Sequence, residues 1–137
     1  MDQAVLDKIK SSFQRQSFMA TIGAQLHKIE QGHVSIRAPV SDQILQQHGL
    51  AHAGIAFSMG DSAAGYAALT LMPADAEVLT TEMKINLLSP ASGDLIIAKG
   101  HVIKAGRRLT IFGADVYAIT EGVEKHFAIL QGTMISS

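Results

Sequence analysis

Residues 52–72 read HAGIAFSMGDSAAGYAALTLM, and the fold turns on this stretch. Ile55, Phe57, Met59, Tyr66, Leu69 and Leu71 spread around the whole helical circumference on an alanine-rich background, and Pro73 stands where a helix would stop. A helix that is apolar on every side must be surrounded, so 52–72 is predicted to be one long, largely buried helix. Gly54, Gly60 and Gly65 inside it each cost about 1 kcal/mol relative to alanine. Close backbone approach to a sheet would offset that cost.

Downstream, four β-like runs at about 75–88, 94–105, 108–120 and 124–135 are separated by the turn signals SPASGD, AGR and TEGV. No helical pattern intervenes, which predicts an antiparallel meander. Upstream, Val5, Leu6, Ile9 and Phe13 mark residues 2–17 as a short amphipathic helix. From Phe18 to Val40 a hairpin is expected around the Glu30-Gln31-Gly32 turn, with Val34, Ile36 and Ala38 on one face and Ser35 and Arg37 on the other. Residues 41–51, SDQILQQHGLA, lack a period and read as the loop that delivers the chain into the long helix. The fold class is therefore α+β, an antiparallel sheet of five to six strands wrapped around one long central helix. Edge strands of such a sheet need a partner, so a homo-oligomer is expected.

The chain has 137 residues, 47% hydrophobic and 17% charged, which suits a single domain over 1–137 that buries roughly two-thirds of its unfolded surface. A net charge of −1 without like-charge blocks argues against nucleic acid or an anionic membrane as partner. With no cysteine there is no disulfide, thiol nucleophile or Cys-ligated zinc, and a reducing, cytoplasmic setting is the expectation. The opening MDQAVLDKIKSS lacks an apolar signal core, and His52, Ser58, Asp61, Ser62 and Thr70 interrupt the apolar stretch, so no membrane span is expected.

Asp61 is the only acidic residue between Asp42 and Asp75. Two readings of it stand: a paired or functional carboxylate, or one that faces a solvated groove. A place in the first turns of the helix would set it beside backbone N–H groups able to hold an oxyanion, an arrangement suited to acyl transfer. His48 and His52 have the spacing of a helical metal pair, yet Gly49 between them argues for a loop and no third ligand is near, so no metal is expected. His27, His33, His101 and His126 are scattered over strands and expected to be exposed. Ser58 and Ser62 flank Asp61 without a Gly-x-Ser-x-Gly elbow, and no glycine-rich phosphate loop is present. Lys104, Arg107 and Arg108 around Gly106 are either an anion grip or a solvated hairpin tip.

Gln46-x-x-Gly49-x-x-His52-Ala53-Gly54 followed by Met59-Gly60-Asp61-Ser62-Ala63-Ala64-Gly65-Tyr66-Ala67 resembles the signature of hotdog-fold acyl-CoA thioesterases of the PaaI, phenylacetate-pathway type. Thr80 to Ala91 and Gly106-Arg107-Arg108 are similar to later blocks of that family. The resemblance implies a hotdog fold, hydrolysis of acyl-CoA with coenzyme A as part of the substrate and no separate cofactor, and dimers with shared sites that associate into tetramers. It implies Asp61 as nucleophile or general base, Gln46 as a placing amide, the backbone at Ala53 and Gly54 as carbonyl-polarising donor, and Thr80 as a hydroxyl supplied by the neighbouring subunit. His52, Asn86, Lys104, Arg107 and Arg108 are the implied substrate contacts. Ala53 stands where the family mostly has glycine, and Gly65 leaves empty a position where some relatives carry a hydroxyl. A hotdog hydratase or dehydratase on β-hydroxyacyl thioesters, pairing Asp61 with a histidine such as His52, and a non-catalytic acyl-CoA binder are the alternatives.

Overall fold

The computed structural model describes residues 1–137. Asp2 caps α1 (Gln3–Arg15) by accepting the Ala4 N–H at 3.1 Å, and the helix lays Val5 and Ile9 into the core. A short helix not expected from the sequence, α2 (Ser17–Thr21), follows after a break at Gln16 and buries Met19. The hairpin therefore begins later than Phe18, with β1 (Gln25–Glu30) and β2 (His33–Pro39) joined at Gly32, whose φ of +78° favours glycine.

The central helix α3 spans Ala53–Leu69, shorter at both ends than 52–72. His52 is its cap, and at the other end Thr70 turns its hydroxyl back onto the Ala67 carbonyl at 2.6 Å. Four strands complete the chain: β3 (Val78–Leu87), β4 (Leu95–Ala105), β5 (Leu109–Thr120) and β6 (Val123–Ser136). They join the hairpin in one antiparallel sheet of order β1-β2-β4-β5-β6-β3. The expected meander holds only for β4, β5 and β6. β3 pairs with β6 and forms an edge, so SPASGD is no hairpin turn. Residues 88–94 instead cross between distant strands, tied by Leu88 N–H to the Phe127 carbonyl, Ala51 N–H to the Ala91 carbonyl and Asp94 N–H to the Ile119 carbonyl. No helix is long and apolar enough to cross a membrane.

The inner face of the sheet holds α3. Ile55, Met59 and Leu69 are buried with Ile36, Ile96, Val116 and Leu130 in one core, each such side chain contributing about 1.5–3 kcal/mol of transfer free energy. Closest approach falls at Gly100 of β4, where an added Cβ would lie 2.4 Å from the Ala63 carbonyl carbon and the Ala64 nitrogen. The glycine that lets helix and sheet touch is thus mainly in the sheet. Of the helical glycines, Gly60 rests on the Leu130 side chain, Gly54 serves the cap, and Gly65 has free room, its nearest neighbour being Met134 Cε at 3.5 Å.

Gly100→Ala is expected to destabilise the fold by about 1–3 kcal/mol through overpacking against helix backbone. Gly65→Ala is expected to stabilise it by up to about 1 kcal/mol through helix propensity. Urea unfolding midpoints at unchanged m-value measure both.

Candidate active site

The loop before α3 is pinned from two sides. Gln46 N–H bonds the Leu50 carbonyl at 2.8 Å, Gly49 turns the chain at φ +80°, and His52 N–H returns to the Ile44 carbonyl at 2.8 Å. Gln46 Oε1 accepts the backbone N–H groups of His48 and Leu50, so its Nε2 donors stay free. His52 then caps α3: its Nδ1 accepts the Gly54 N–H at 2.8 Å. Ile55 N–H bonds the His52 carbonyl, whereas the Ala53 N–H reaches no acceptor in the chain. Ala53 is the first helical residue and has negative φ, so alanine fits there without strain. Gln46, His52 and Ala53 line one open cavity of about 490 Å³ with Leu87, Leu88 and Phe127.

Asp61 lies elsewhere. It is in the middle of α3 and not in its first turns, which corrects the expectation that it neighbours the helix start. Half-buried, it faces a second cavity of about 430 Å³ beneath α1, lined also by Ser12, Gln16, Gly65, Tyr66 and Met134. Its one side-chain partner is Thr80, whose hydroxyl donates to Oδ1 at 2.5 Å within the same chain. Thr80 therefore does not depend on a neighbouring subunit to meet Asp61, because β3 passes alongside the middle of α3 in its own chain.

The sequence did not single out the polar cluster beside Asp61. Gln16 Nε2 donates to the Tyr66 hydroxyl at 2.6 Å, Ser12 lies 3.1 Å from that hydroxyl, and Ser62 donates to Gln16 Oε1 at 3.3 Å. These bonds tie α1 to α3. The only signal available in sequence was that Ser12 lies between the apolar positions Ile9 and Phe13 of α1.

Asn86 pairs across β3 and β6 with Ile129, on the sheet face opposite the core residues Met83 and Ile85. It joins Lys84, His101 and Gln131 in an outer-face groove and lines neither cavity above. Lys104 near the end of β4 and Arg107 and Arg108 on the β4–β5 connection are exposed, at the end of the sheet where the Arg108 carbonyl accepts the Ser136 N–H and Ser136 pairs with Val78. That is the Asp61 and Thr80 end. They line neither of the cavities at Ala53 and Asp61.

The four strand histidines are less scattered than expected. His33 pairs with His101, their rings stacked 6.3 Å apart, and half-buried His126 stacks on Tyr117 at 4.8 Å with Asp115 Oδ1 2.9 Å from its Nε2. Lys99 lies over the Tyr117 ring and bonds Glu124 at 2.9 Å. His27 is held below the ordinary histidine range, first by desolvation of its ring and then by the cations Arg37, Lys28 and Lys99.

The model of the thioesterase superfamily matches residues 48–125. A solved thioesterase family protein from Silicibacter pomeroyi is 41% identical, with 96% of this chain and 97% of that chain covered and a TM-score of 0.93. The PaaI protein of the E. coli phenylacetic acid degradation operon shares the fold at 19% identity, with a TM-score of 0.83 over 97% of this chain and 93% of that one. The 1,4-dihydroxy-2-naphthoyl-CoA hydrolase of Listeria monocytogenes is 25% identical over 83% of this chain and 90% of its own length. With the sheet wrapped around α3 and the family match running through both cavities, this chain belongs to the thioesterase superfamily and has its hotdog fold.

Proposed function

We propose that the protein hydrolyses acyl-CoA thioesters to the free acid and coenzyme A in a site built by two subunits. One observation carries the reading: a free helix-start N–H at Ala53 and a carboxylate at Asp61 lie on the same helix but in different cavities. At ~1.5 Å rise per residue they are about 12 Å apart along the axis, too far to act on one carbonyl. A complete site therefore takes each from a different chain.

Edge strand β3 provides the means. It is long, and Leu79 and Leu87 on it are 68% and 54% exposed, a pattern that natural sheets pair or cover. Its Thr80 end lines the Asp61 cavity and its Leu87 end lines the Ala53 cavity. Two-fold antiparallel pairing of β3 with its copy brings one chain's Asp61 cavity against the partner's helix start, giving two equivalent sites.

In that site the Ala53 N–H polarises the thioester carbonyl, with Gln46 Nε2 as a second donor. Asp61 attacks the carbonyl carbon or takes a proton from the water that does. The C–S bond then breaks and the thiolate departs without a strong acid; where Asp61 itself has attacked, water next hydrolyses the acyl-aspartyl anhydride, releasing the free acid and restoring the carboxylate. Lys104, Arg107 and Arg108, at the Asp61 end of the sheet, meet the phosphates of coenzyme A. The CoA ester named for the Listeria relative supports coenzyme A as the thiol. His52 uses Nδ1 as the helix cap, which weighs against the hydratase alternative, where it would serve as acid or base.

Asp61→Asn is expected to lower thioester hydrolysis by about 100-fold or more with the fold intact, read by thiol release and circular dichroism. Ala53→Pro removes the proposed oxyanion donor, and proline suits the first helical position. His52 already has the extended conformation, φ −64° and ψ 140°, that precedes proline. Loss of about 100–1,000-fold in kcat is expected with little change in stability. Exchanging subunits between Asp61→Asn and Ala53→Pro chains should restore one site per heterodimer. No recovery after proven exchange would place the site in a single chain. Replacing Arg107 and Arg108 together by Ala should raise KM more than it lowers kcat, with added salt mimicking the effect on wild type.

A further inference from the structure

The polar cluster between α1 and α3 has more donors than it uses. Tyr66 is only 5% exposed, and its hydroxyl is held by Gln16 Nε2 at 2.6 Å and by Ser12 at 3.1 Å, while Ser62 donates to Gln16 Oε1 at 3.3 Å. One amide and three hydroxyls carry five donor protons, and these three bonds use three of them. One N–H of Gln16 and one O–H of the Ser12–Tyr66 pair are left without an acceptor in the chain. A ligand that displaces water from such donors loses affinity unless it replaces the bonds that the water made.

The cluster borders the same cavity as Asp61. Asp61, Ser62, Gly65 and Tyr66 share one face of α3, and Gly65 leaves that face open, its nearest neighbour being Met134 Cε at 3.5 Å. At ~1.5 Å rise per residue, Tyr66 is about 7.5 Å beyond Asp61 along the axis. Leu69, Val78 and Met134 give the cavity an apolar wall. Asp61 and Glu77 line it, no cation does, and Lys8 outside it is paired with Glu77 at 3.2 Å. The cavity thus offers a carboxylate, an apolar wall and, further along the helix, uncharged donors.

We infer that Gln16 and Tyr66 are specificity-determining residues: the Asp61 cavity takes the acyl group, and the unpaired donors select acyl groups that carry an uncharged oxygen, a hydroxyl or oxo group, roughly six bonds from the thioester carbonyl. This selection rests on the proposed thioesterase reading and adds to it the class of acyl group. A plain hydrocarbon chain strips water from the donors without replacing its bonds. A terminal carboxylate meets Asp61 and Glu77 with no cation to balance it.

Hexanoyl-CoA, ω-hydroxyhexanoyl-CoA and adipoyl-CoA, which differ only at the far end of the acyl chain, test this. The wild-type chain should hydrolyse the hydroxyacyl ester with a kcat/KM about 10-fold above that of hexanoyl-CoA, and adipoyl-CoA should be the poorest of the three. Tyr66→Phe and Gln16→Glu should each bring the ratio between the first two esters to within about 2-fold of unity. Gln16→Glu separates recognition from packing: a glutamate still accepts the Tyr66 and Ser62 hydroxyl protons, so α1 stays tied to α3, yet it has no N–H to offer a ligand. A wild-type ratio near unity, a ratio that survives both substitutions, or adipoyl-CoA as the best substrate would overturn the inference. A cluster that only ties the helices together would lower the urea midpoint and both rates in Tyr66→Phe while leaving their ratio as in wild type, which would overturn it too. Calorimetric binding of the same esters to the Asp61→Asn chain distinguishes this inference from the reading beneath it. Preference for the hydroxyacyl ester there, with no ester hydrolysed by the wild-type chain, would keep the recognition and remove the reaction. Hydrolysis without that preference would do the reverse.

Discussion

The contact between α3 and β4 at Gly100 is the constraint on which the rest of the molecule depends. Helix backbone at Ala63 and Ala64 lies where a side chain on Gly100 would be, so helix and sheet meet backbone to backbone. Ala56, Ala63, Ala64 and Ala67 are fully buried, and their small size lets the sheet curve around the helix instead of standing off from it. A further flank of α3 is closed by α1 and the residue after it, through the tilted contact of Phe13 with the Tyr66 ring and the hydrogen bonds of Ser12 and Gln16 with the Tyr66 hydroxyl. Only one stripe of the helix is left uncovered within the chain, where Phe57 is 42% exposed and Ser58 and Asp61 are half-buried, so the expectation of a helix surrounded on every side holds for the rest of its circumference.

From that seating follows the division of chemistry along α3. Its start is fixed by a loop whose polar groups are nearly all consumed internally: Gln46 spends its oxygen on two backbone N–H groups, and His52 spends Nδ1 on Gly54. What this bookkeeping leaves over is the Ala53 N–H and the Gln46 amide nitrogen, both at one cavity. Asp61 is held two turns away, against a different cavity and a different end of β3. Their spacing along the helix keeps these groups apart, and the exposed edge of β3 offers the route by which a second copy would bring them together.

Local irregularities aim the side chains. Thr81 shifts the pairing of β3 by one residue, and further shifts occur between Leu26 and Lys28, Val102 and Lys104, and Val116 and Tyr117. Because side chains alternate along a strand, each shift exchanges which residues face α3 and which face outward. On the outer face the stacked pairs His33 with His101 and Tyr117 with His126, and the Lys99 contact to Tyr117 and Glu124, make a polar surface unlike the core side.

The sequence by itself determined the class of the fold and the identity of the central groups. An all-round apolar run ending at Pro73 has to be an enclosed helix, alternating runs on both sides have to be its sheet, and Asp61 stands out as the lone carboxylate of that helix. Of the residues that carry the family resemblance, Gln46, His52 and Ala53 line one cavity and Asp61 the other, while Gly54 gives its N–H to the His52 cap and lines neither. Tertiary structure alone decided the rest. Whether β3 pairs with β4 as a hairpin or lies three strands away from it at the edge depends on long-range pairing with β6, which local turn signals do not encode. Which threonine meets Asp61, and that it does so within one chain, depends on a bulge that periodicity averages over. The placement of Asn86 on the outer face follows from the same cause, since a residue's face is set by the register of its strand against its neighbour and not by its place in a motif.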